Sequence, residues 1–359
     1  MSKTILIAAG GTGGHIFPGL AAATELQRSG ARVVWLGSKG GMESTLVPQR
    51  GLPIHLIDIS GLRGAGLLSL LLAPFRLLHA LWQTRSVFVK ERPDCVLGMG
   101  GFAAGPGGIT AFLRGTPLVI HEQNAIPGVT NRQLARLARR VLEAFKGSFA
   151  GRANVIAVGN PVRTELAAIS EPATRLQAHP MPVRVLVLGG SRGAQALNER
   201  VPAALGRIDP SRRPKVLHQA GKGKHDACKK AYQQSGVDAD VVEFIDDMKT
   251  AYEQADLVIA RAGALTLAEL AAVGIGAILV PYPFAADDHQ MANARYFENA
   301  GAAEVIAQSA LTDEVLAASI ERLVEDGGRR LSMAHAARQL ALPDAARAVA
   351  DVCLEVCAG

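Results

Sequence analysis

Two glycine-rich turns carry the strongest chemical signal in the sequence. The first occupies residues 10–15 (GGTGGH) and follows an apolar run at 5–9, and the second occupies 189–194 (GGSRGA) and follows an apolar run at 185–188. Glycine lets backbone N–H groups approach an anion, and a following helix adds unpaired donors and the positive end of its dipole. We therefore expect each half of the chain to hold an anionic group such as a phosphate. For either turn alone, the alternative is a tight connection without a ligand.

The first turn departs from the dinucleotide-binding fingerprint. Its third fingerprint position is Ile16, where glycine or alanine is required. The second predicted strand ends at Gly37, Ser38 and Lys39, with no acid to hold ribose hydroxyls, although Ser38 and Lys39 could meet the extra phosphate of NADP. These residues disfavour an NAD-dependent enzyme.

A third glycine cluster lies at residues 98–108 (GMGGFAAGPGG), directly after the apolar residues 95–97. No structural requirement is evident for so many residues without side chains at a strand end, unless a bulky or charged partner lies close to the backbone. We expect ligand contact at this cluster, with plain loop flexibility as the alternative.

The elements that position these clusters alternate between short apolar strands and helices. In the first half we predict strands at residues 4–9, 32–36, 54–57, 94–97, 118–121 and 141–144, and helices at 18–29, 42–50, 67–90, 103–113 and 129–138. In the second half we predict strands at 185–188, 216–219, 241–244, 257–260 and 277–280, and helices from 194, at 226–234, 248–254, 265–273 and 288–299, and onward to the end. This alternation is typical of an α/β fold with two Rossmann-like, doubly wound parallel-sheet domains facing a cleft, with ligands at the carboxyl ends of the strands.

The length of 359 residues and the 49% hydrophobic content favour two domains. We place the N-terminal domain at residues 1–162 and the C-terminal domain at 163–340. The Pro- and Ala-containing stretch up to Pro182 is interpreted as the linker. A C-terminal helix at 341–359 is expected to pack back on the N-terminal domain.

The charge and amino-acid composition limit the classes of binding partner that the chain could have. A formal charge of +6 and a pI near 9.3 favour phosphates or an anionic bilayer surface. Nucleic acid is disfavoured because aromatic residues make up only 4% of the chain and no Lys/Arg stripe is interleaved with them. The four cysteines lack zinc spacing, and no signal peptide is evident, so we expect free thiols in the cytoplasm. We also expect no metal: Asp238 and Asp240 have D-x-D spacing but precede a strand in a polar loop.

Eight segments, in the same order along the chain, closely resemble the MurG family of bacterial cell-wall N-acetylglucosaminyltransferases. They are residues 10–15, 98–108, 121–124 with 127–128, 159–163, 189–194, 244–248, 263–266 with Glu269, and 287–290 with 293–294. The resemblance implies a GT-B glycosyltransferase that inverts the anomeric centre, transfers N-acetylglucosamine from UDP-N-acetylglucosamine to lipid I, and yields lipid II for peptidoglycan. It implies no cofactor, and a peripheral location on the cytoplasmic face of the bacterial inner membrane.

The resemblance also implies the site residues. In the donor site, the Ile245 backbone faces the uracil, Glu269 holds the ribose hydroxyls, and Gln290 contacts the N-acetylglucosamine. The segment beside the diphosphate and sugar comprises Ala264, Leu265, Thr266, Leu267 and Ala268. Further donor contacts are carried over to Arg163, Ser191, Thr12, Gly13, Gly14 and Asn124. The acceptor diphosphate loop comprises Gly11, Gly100, Gly101 and Gly105.

Transfer to a hydroxyl requires a base, and His15 is the first candidate. Histidine exchanges a proton near neutral pH, and a helix N-terminus favours the uncharged imidazole that accepts one. The competing role for His15 is donation of a hydrogen bond to a phosphate, and the sequence does not separate the two. Glu122 is the reserve catalytic candidate.

An apolar segment at residues 67–82 has no charge before Arg76. It is shorter than the roughly 20 residues that span hydrocarbon, and Pro74 would break or restart a helix within it. One stripe comprises Leu71, Phe75, Leu78 and Trp82, and it is flanked by Arg63, Arg76, Arg85, Lys90 and Arg92. This pattern suits docking on anionic lipid, and a core helix is the alternative. The resemblance favours membrane contact because the acceptor is a bilayer-anchored lipid.

Other functional classes stay open on the sequence. A GT-B enzyme acting on another lipid acceptor would share the donor half. A non-catalytic nucleotide-sugar-binding module would bind the donor and transfer nothing.

Overall fold

A computed structural model of the chain describes residues 2–60, 72–179, 181–190 and 193–358. The chain divides into two compact units. The first unit comprises Met1–Val162 with Leu342–Gly359, and the second comprises Arg163–Ala341.

The first unit is built on a seven-stranded parallel sheet in the order β3-β2-β1-β4-β5-β6-β7. Its strands are β1 (Thr4–Ala9), β2 (Arg32–Ser38), β3 (Ile54–Ile57), β4 (Cys95–Gly100), β5 (Leu118–Glu122), β6 (Arg140–Glu143) and β7 (Val155–Ala157). β1 and β2 are buried almost throughout, as expected for parallel strands covered on both faces. The strand order reverses between β1 and β4, and α/β sheets bind ligands beside such a reversal.

Helices cover both faces of this sheet. They are α1 (Gly13–Arg28), α2 (Glu43–Gln49), α3 (Ala73–Glu91), α4 (Ala104–Leu113), α5 (Val129–Leu134) and the last helix of the chain, α15 (Ala345–Ala358). Ile5 and Ile7 of β1 pack on one face with α1 and α15, whereas Leu6 and Ala8 pack on the other face with α3 and α4. Because successive side chains of a strand point to opposite faces, β1 contributes residues to the hydrophobic core on each face of the sheet.

The second unit repeats the plan with a six-stranded parallel sheet in the order β10-β9-β8-β11-β12-β13. The strands are β8 (Arg184–Leu188), β9 (Lys215–Gln219), β10 (Asp240–Val242), β11 (Leu257–Ala260), β12 (Ala277–Leu279) and β13 (Ala303–Val305). The α-helices are α6 (Thr164–Ala167), α7 (Pro172–Ala178), α8 (Gln195–Arg207), α9 (His225–Gln234), α10 (Met248–Gln254), α11 (Ala264–Val273), α12 (His289–Asn299), α13 (Asp313–Glu325) and α14 (Gly327–Gln339). Short 3-10 turns lie at Pro210–Arg212, Ala286–Asp288 and Gln308–Ala310. Here the order reverses between β8 and β11.

The prediction that α1 begins at Pro18 is wrong. The helix begins at Gly13, because the Thr12 carbonyl already accepts the N–H groups of His15 and Ile16, at 3.1 and 3.2 Å. The glycine turn is therefore the first turn of the helix, and Pro18 lies inside it.

The interpretation of residues 163–182 as a linker is also wrong. They contain α6 and α7, and Arg175 of α7 is buried. Its guanidinium donates to the carbonyls of Val273 and Gly274 at 2.8 and 2.6 Å, and so caps the C-terminus of α11. Burial lowers the pKa of Arg175 to about 10, which leaves it charged at neutral pH.

The prediction omitted β7 and β13. Each is only three residues long, lies at a sheet edge and is partly exposed.

Residues 73–82 of the apolar segment at 67–82 lie in α3, and Pro74 is in the first turn of that helix. Within the described residues, no helix has the length and apolar character required to cross a membrane. Leu71 and Arg63 lie outside the described residues.

Candidate active site

At the reversal point of the first sheet, the structure brings together three segments that are distant in sequence. His15 lies in the first turn of α1, Gly100 ends β4, and Gln123 follows β5. His15 Nδ1 lies 3.0 Å from Gln123 Oε1. The same Gln123 side chain donates from Nε2 to the Met99 carbonyl at 2.9 Å. Gln123 thus holds the half-buried imidazole of His15 in place through its Nδ1 atom.

Gly100 and Gly101 have internal reasons to be glycine. Both have positive φ angles, +93° and +78°. A Cβ on Gly100 would lie 2.9 Å from His15 Nδ1, and one on Gly101 would lie 2.0 Å from the Gly10 carbonyl oxygen. The close approach of this loop to the His15 ring therefore requires glycine.

The expectation that nothing structural requires the third glycine cluster is wrong for its C-terminal end. Gly107 and Gly108 lie inside α4, where a Cβ would approach Ala8 at 2.9 Å and Leu134 at 2.6 Å. They are packing glycines between the helix and its neighbours. Gly105 has more room, since its nearest side-chain atom, on Thr130, would be 3.8 Å from a Cβ.

A buried carboxylate that the sequence analysis missed, Glu43, holds the first glycine turn. Its oxygens accept the Gly11 N–H at 3.1 Å, the Ser38 N–H at 2.8 Å and the Ser38 hydroxyl at 2.6 Å. Burial opposes its charge, but these hydrogen bonds outweigh it and lower the pKa of Glu43. The Gly11 N–H is thus already used. The N–H groups of Gly13 and Gly14 lie in the first turn of α1, whose N-cap Thr12 makes no side-chain cap.

Glu122 is buried at the end of β5 and is surrounded by donors from its own loop. It accepts the backbone N–H groups of Asn124 and Gly128 and the side-chain amides of Asn124 and Asn131, all at 3.0 to 3.1 Å. Both of its oxygens are occupied. This geometry favours a loop-holding role for Glu122 over proton transfer.

At the reversal point of the second sheet, three residues, 261–263, separate the end of β11 from the start of α11. Gly263 is the N-cap of α11 and has no side chain to cap the helix, and the first turn contains no acid. The backbone N–H groups of Leu265 and Thr266 belong to this first turn. An anion placed there meets donors and the positive end of the helix dipole, worth ~0.3 to 2 kcal/mol. Leu267 differs: it is buried and its N–H donates to the Gly263 carbonyl at 3.0 Å, which leaves it nothing to offer a ligand.

Glu269 lies one turn further along α11 and is 8% exposed. Its Oε2 accepts the Tyr252 hydroxyl at 3.0 Å, and its Oε1 lies 3.9 Å from Arg163. Burial raises the pKa of Glu269, and Arg163 and Tyr252 partly offset this. A carboxylate with few protein partners beside a helix N-terminus has acceptor capacity suited to a diol.

Two other residues that the sequence analysis predicts for the donor site lie in this unit. The Gln290 Oε1 accepts the Tyr282 N–H at 3.0 Å, and Ile245 is buried beside α10. Arg261, which the sequence analysis missed, follows β11 directly. It donates to the carbonyls of Val280 and Pro281 and stacks 5.5 Å from the Tyr282 ring.

The second glycine turn is tightly packed. Gly193 has a φ of +67°, and a Cβ there would lie 2.0 Å from the Ala220 carbonyl oxygen. Its N–H donates to the Gly190 carbonyl at 2.9 Å. Ser191 and Arg192 lie outside the described residues.

The described parts of the chain contain no group of three His, Cys, Asp or Glu side chains that could hold a metal ion. Asp247 instead caps α10 by accepting the Thr250 N–H at 3.0 Å.

α3 has one face in the core and an opposite face that is exposed and apolar. Ala80, Thr84 and Phe88 face the core. The opposite face exposes Phe75 by 69%, Leu78 by 63% and Trp82 by 68%. Arg85 and Lys90 are also exposed on this helix. An exposed apolar stripe with basic neighbours is unusual on a water-facing helix.

Comparison with known proteins identifies the family. Residues 5–143 match the Glycosyltransferase family 28 N-terminal domain, and residues 184–349 match the Glycosyltransferase family 28 C-terminal domain. The protein named UDP-N-acetylglucosamine–N-acetylmuramyl-(pentapeptide) pyrophosphoryl-undecaprenol N-acetylglucosamine transferase in Hahella chejuensis is 56% identical over 356 residues, or 99% of both chains. The protein of the same name in Marinobacter nauticus is 53% identical over 99% of this chain and 98% of its own. A crystal structure of Acinetobacter baumannii MurG is 39% identical, with 98% of this chain and 99% of that one covered and a TM-score of 0.85.

The chain belongs to the MurG family. Its two parallel sheets are those of a GT-B fold, and the resemblance drawn from the eight sequence segments is confirmed. In the first unit of this MurG-family chain, the structure places His15 beside Gly100. In the second, it places Arg163 and Glu269 together near the N-terminus of α11.

Proposed function

We propose that this protein transfers N-acetylglucosamine from UDP-N-acetylglucosamine to N-acetylmuramyl-(pentapeptide) pyrophosphoryl-undecaprenol, lipid I, and so forms lipid II for peptidoglycan. The observation that carries the proposal is the 56% identity, over 99% of both chains, to a transferase of that name. The first turn of α11 and the imidazole of His15 would supply the two chemical functions that such a transfer needs.

The second unit is proposed to bind the donor. The first-turn N–H groups of α11 would receive the diphosphate, and they would stabilise the negative charge that grows on UDP as the sugar leaves. Glu269 would accept hydrogen bonds from the ribose hydroxyls, with Arg163 beside it. The Ile245 backbone is proposed for the uracil and Gln290 for the sugar.

The first unit is proposed to bind the acceptor and remove its proton. His15 takes the proton from the acceptor hydroxyl while that oxygen forms a bond to the anomeric carbon and UDP departs, which inverts the anomeric centre. The N–H groups of Gly13 and Gly14 at the start of α1, together with the loop at Gly105, would face the acceptor diphosphate.

The exposed stripe of α3 is proposed to dock on the anionic cytoplasmic face of the bacterial inner membrane, where the lipid acceptor resides. Three large apolar side chains with basic neighbours suit this contact. Phe75, Leu78 and Trp82 changed together to Asp should lose binding to anionic liposomes yet keep transfer to a soluble short-chain acceptor. Unchanged liposome binding would count against the docking role, whereas loss of both liposome binding and transfer, with a lowered melting temperature, would indicate misfolding.

UDP release by the purified protein tests the function. We expect release from UDP-N-acetylglucosamine only when lipid I or a short-chain analogue is present. A glycerolipid acceptor supporting faster release would indicate another lipid glycosyltransferase. Donor binding without release on any acceptor would indicate a binding module.

A further inference from the structure

Behind His15 lies a chain of hydrogen bonds whose directions can be worked out from its far end. His121, on β5, is fully buried, and its Nε2 lies 2.8 Å from the Gly159 carbonyl oxygen. A carbonyl only accepts, so Nε2 carries a proton. Burial lowers the pKa of His121 to about 4, which keeps the ring neutral at physiological pH. In a neutral ring Nδ1 must then be an acceptor.

The second link is Gln123. Its Nε2 lies 3.1 Å from His121 Nδ1 and 2.9 Å from the Met99 carbonyl oxygen, and both of these are acceptors. The amide nitrogen must therefore face them, so the orientation of the Gln123 amide is fixed by its partners. The amide oxygen is turned toward His15.

The third link is the imidazole of His15. Gln123 Oε1 only accepts, and it lies 3.0 Å from His15 Nδ1, so Nδ1 carries the proton. In the neutral ring, Nε2 then holds the lone pair. The ring lies close to Gly100, where a Cβ would be only 2.9 Å from Nδ1.

We propose that Gln123 is a positioning residue that holds neutral His15 in its Nδ1–H tautomer, with Nε2 as the proton acceptor, and that His121 fixes the Gln123 amide. This inference rests on the proposed function for its catalytic consequence, but the tautomer itself does not depend on substrate. Of the two roles left open for His15, the base needs the neutral ring, which held this way accepts a proton at Nε2 and donates nothing there.

Nitrogen-15 NMR of the full-length protein labelled in its histidines tests the tautomer without substrate. Two-bond correlations from the ring protons distinguish Nδ1–H from Nε2–H, and a His15→Gln variant assigns the His15 signals. We expect Nδ1–H at His15 and Nε2–H at His121 in the wild type. An Nε2–H pattern at His15 in the wild type would overturn the proposal.

Two substitutions at Gln123 test whether this residue causes the Nδ1–H tautomer of His15. Gln123→Met preserves the size of the side chain but removes both the donor and the acceptor, so His15 should lose its fixed Nδ1–H pattern. Gln123→Glu retains an oxygen acceptor, so the pattern should persist. Persistence in Gln123→Met would show that Gln123 is not its cause and would refute the inference.

Kinetic measurements on the same variants test whether Gln123 contributes to catalysis. In Gln123→Met, kcat should fall by at least about tenfold, toward the about 10²- to 10⁴-fold that a general base contributes, with KM for UDP-N-acetylglucosamine unchanged. Gln123→Glu should recover part of the loss. A merely structural role would instead lower kcat in proportion to the loss of folded protein, which thermal melting measures. If the wild type shows the Nδ1–H pattern but no transfer to lipid I, the proposed function fails and the tautomer assignment stands.

Discussion

The carboxyl-end edges of the two sheets use the same topology in opposite ways. At the first edge the protein satisfies its own polar groups: Glu43 accepts the Gly11 N–H, Glu122 accepts the Asn124 N–H, and Gln123 donates to the Met99 carbonyl of β4. At the second edge the N-cap of α11 is Gly263, which has no side chain to cap the helix, and Glu269 lies beside Tyr252 and Arg163. The first edge therefore holds one imidazole in place, and the second is where we propose that the donor binds. Catalysis and donor binding should separate accordingly when each edge is altered.

Two buried histidines show the same contrast. In the first unit, His121 connects through Gln123 to a half-buried side chain. In the second unit, His218 contacts Asn198 at 3.1 Å and the Tyr232 hydroxyl at 2.9 Å, and both partners are buried. One network ends at the candidate site, and the other only joins β9 to α8 and α9.

The largest effect is expected at His15. His15→Ala should lower kcat by about 10²- to 10⁴-fold, because the general base is removed while the donor site in the other unit is unchanged. Rapid-quench single-turnover measurement with a lipid I analogue reads the chemical step. His225→Ala, a histidine at the start of α9, is the matched control and should react at the wild-type rate. Unchanged turnover in His15→Ala would disprove the catalytic role.

Glu269 should give the next largest effect, on binding. Hydrogen bonds to charged groups contribute about 1.5–3 kcal/mol, so Glu269→Ala should weaken UDP-N-acetylglucosamine binding by about 10- to 150-fold. Calorimetry with UDP measures the affinity directly. Glu165→Ala removes the other carboxylate near Arg163. Because the Glu165 side chain is largely exposed, this variant should have little effect on UDP affinity. Equal losses in the two variants would argue that only the charge near Arg163 matters.

The buried histidines should destabilise the protein in acid. Burial lowers the pKa of His121 to about 4 and that of His218 to about 3, against an unfolded value of about 6.5. The unfolded chain therefore binds more protons below pH 6.5, and stability falls as pH drops from 6.5 toward 4. At pH 5 each histidine should cost about 2 kcal/mol relative to pH 8.

Urea unfolding at both pH values separates the two units. The two tryptophans, Trp35 and Trp82, both lie in the first unit, so tryptophan fluorescence reports that unit. His121→Gln should reduce the pH dependence of the fluorescence transition, whereas His218→Gln should leave it unchanged and alter only the circular dichroism transition. An equal response of fluorescence to both variants would show that the units unfold together.

The smallest effect is expected from crowding the His15 ring. Gly100→Ala would place a methyl group 2.9 Å from Nδ1 at a positive φ, so it should displace the imidazole and lower kcat by about tenfold. Gly128→Ala is the control, because its Cβ would meet nothing within 4 Å. UDP affinity should be unchanged in both. Wild-type kcat in Gly100→Ala would show that ring placement is not critical.

Much of the fold could be predicted because apolar runs and turn residues are local signals. The bounds of β1, β3, α10 and β11 were predicted to the residue. The candidate site was harder to predict from the sequence. Gln123 and His15 are 108 positions apart, and the pairing of β4 with both β1 and β5 brings them together.

Buried polar residues were the main omission, because an acid in a sequence is first interpreted as surface. Glu43 and Arg175 are buried against loops and carbonyls that no local pattern indicates. Similarly, a glycine that packs against a neighbour, such as Gly107, looks in sequence the same as one that admits a ligand.

The most direct test of the separation between the two edges is to measure UDP affinity and single-turnover rate on the same preparation of His15→Ala. We predict an affinity within about twofold of the wild type and a rate lower by at least about 10²-fold. An affinity and a rate that fall together, or a rate that does not fall, would contradict it.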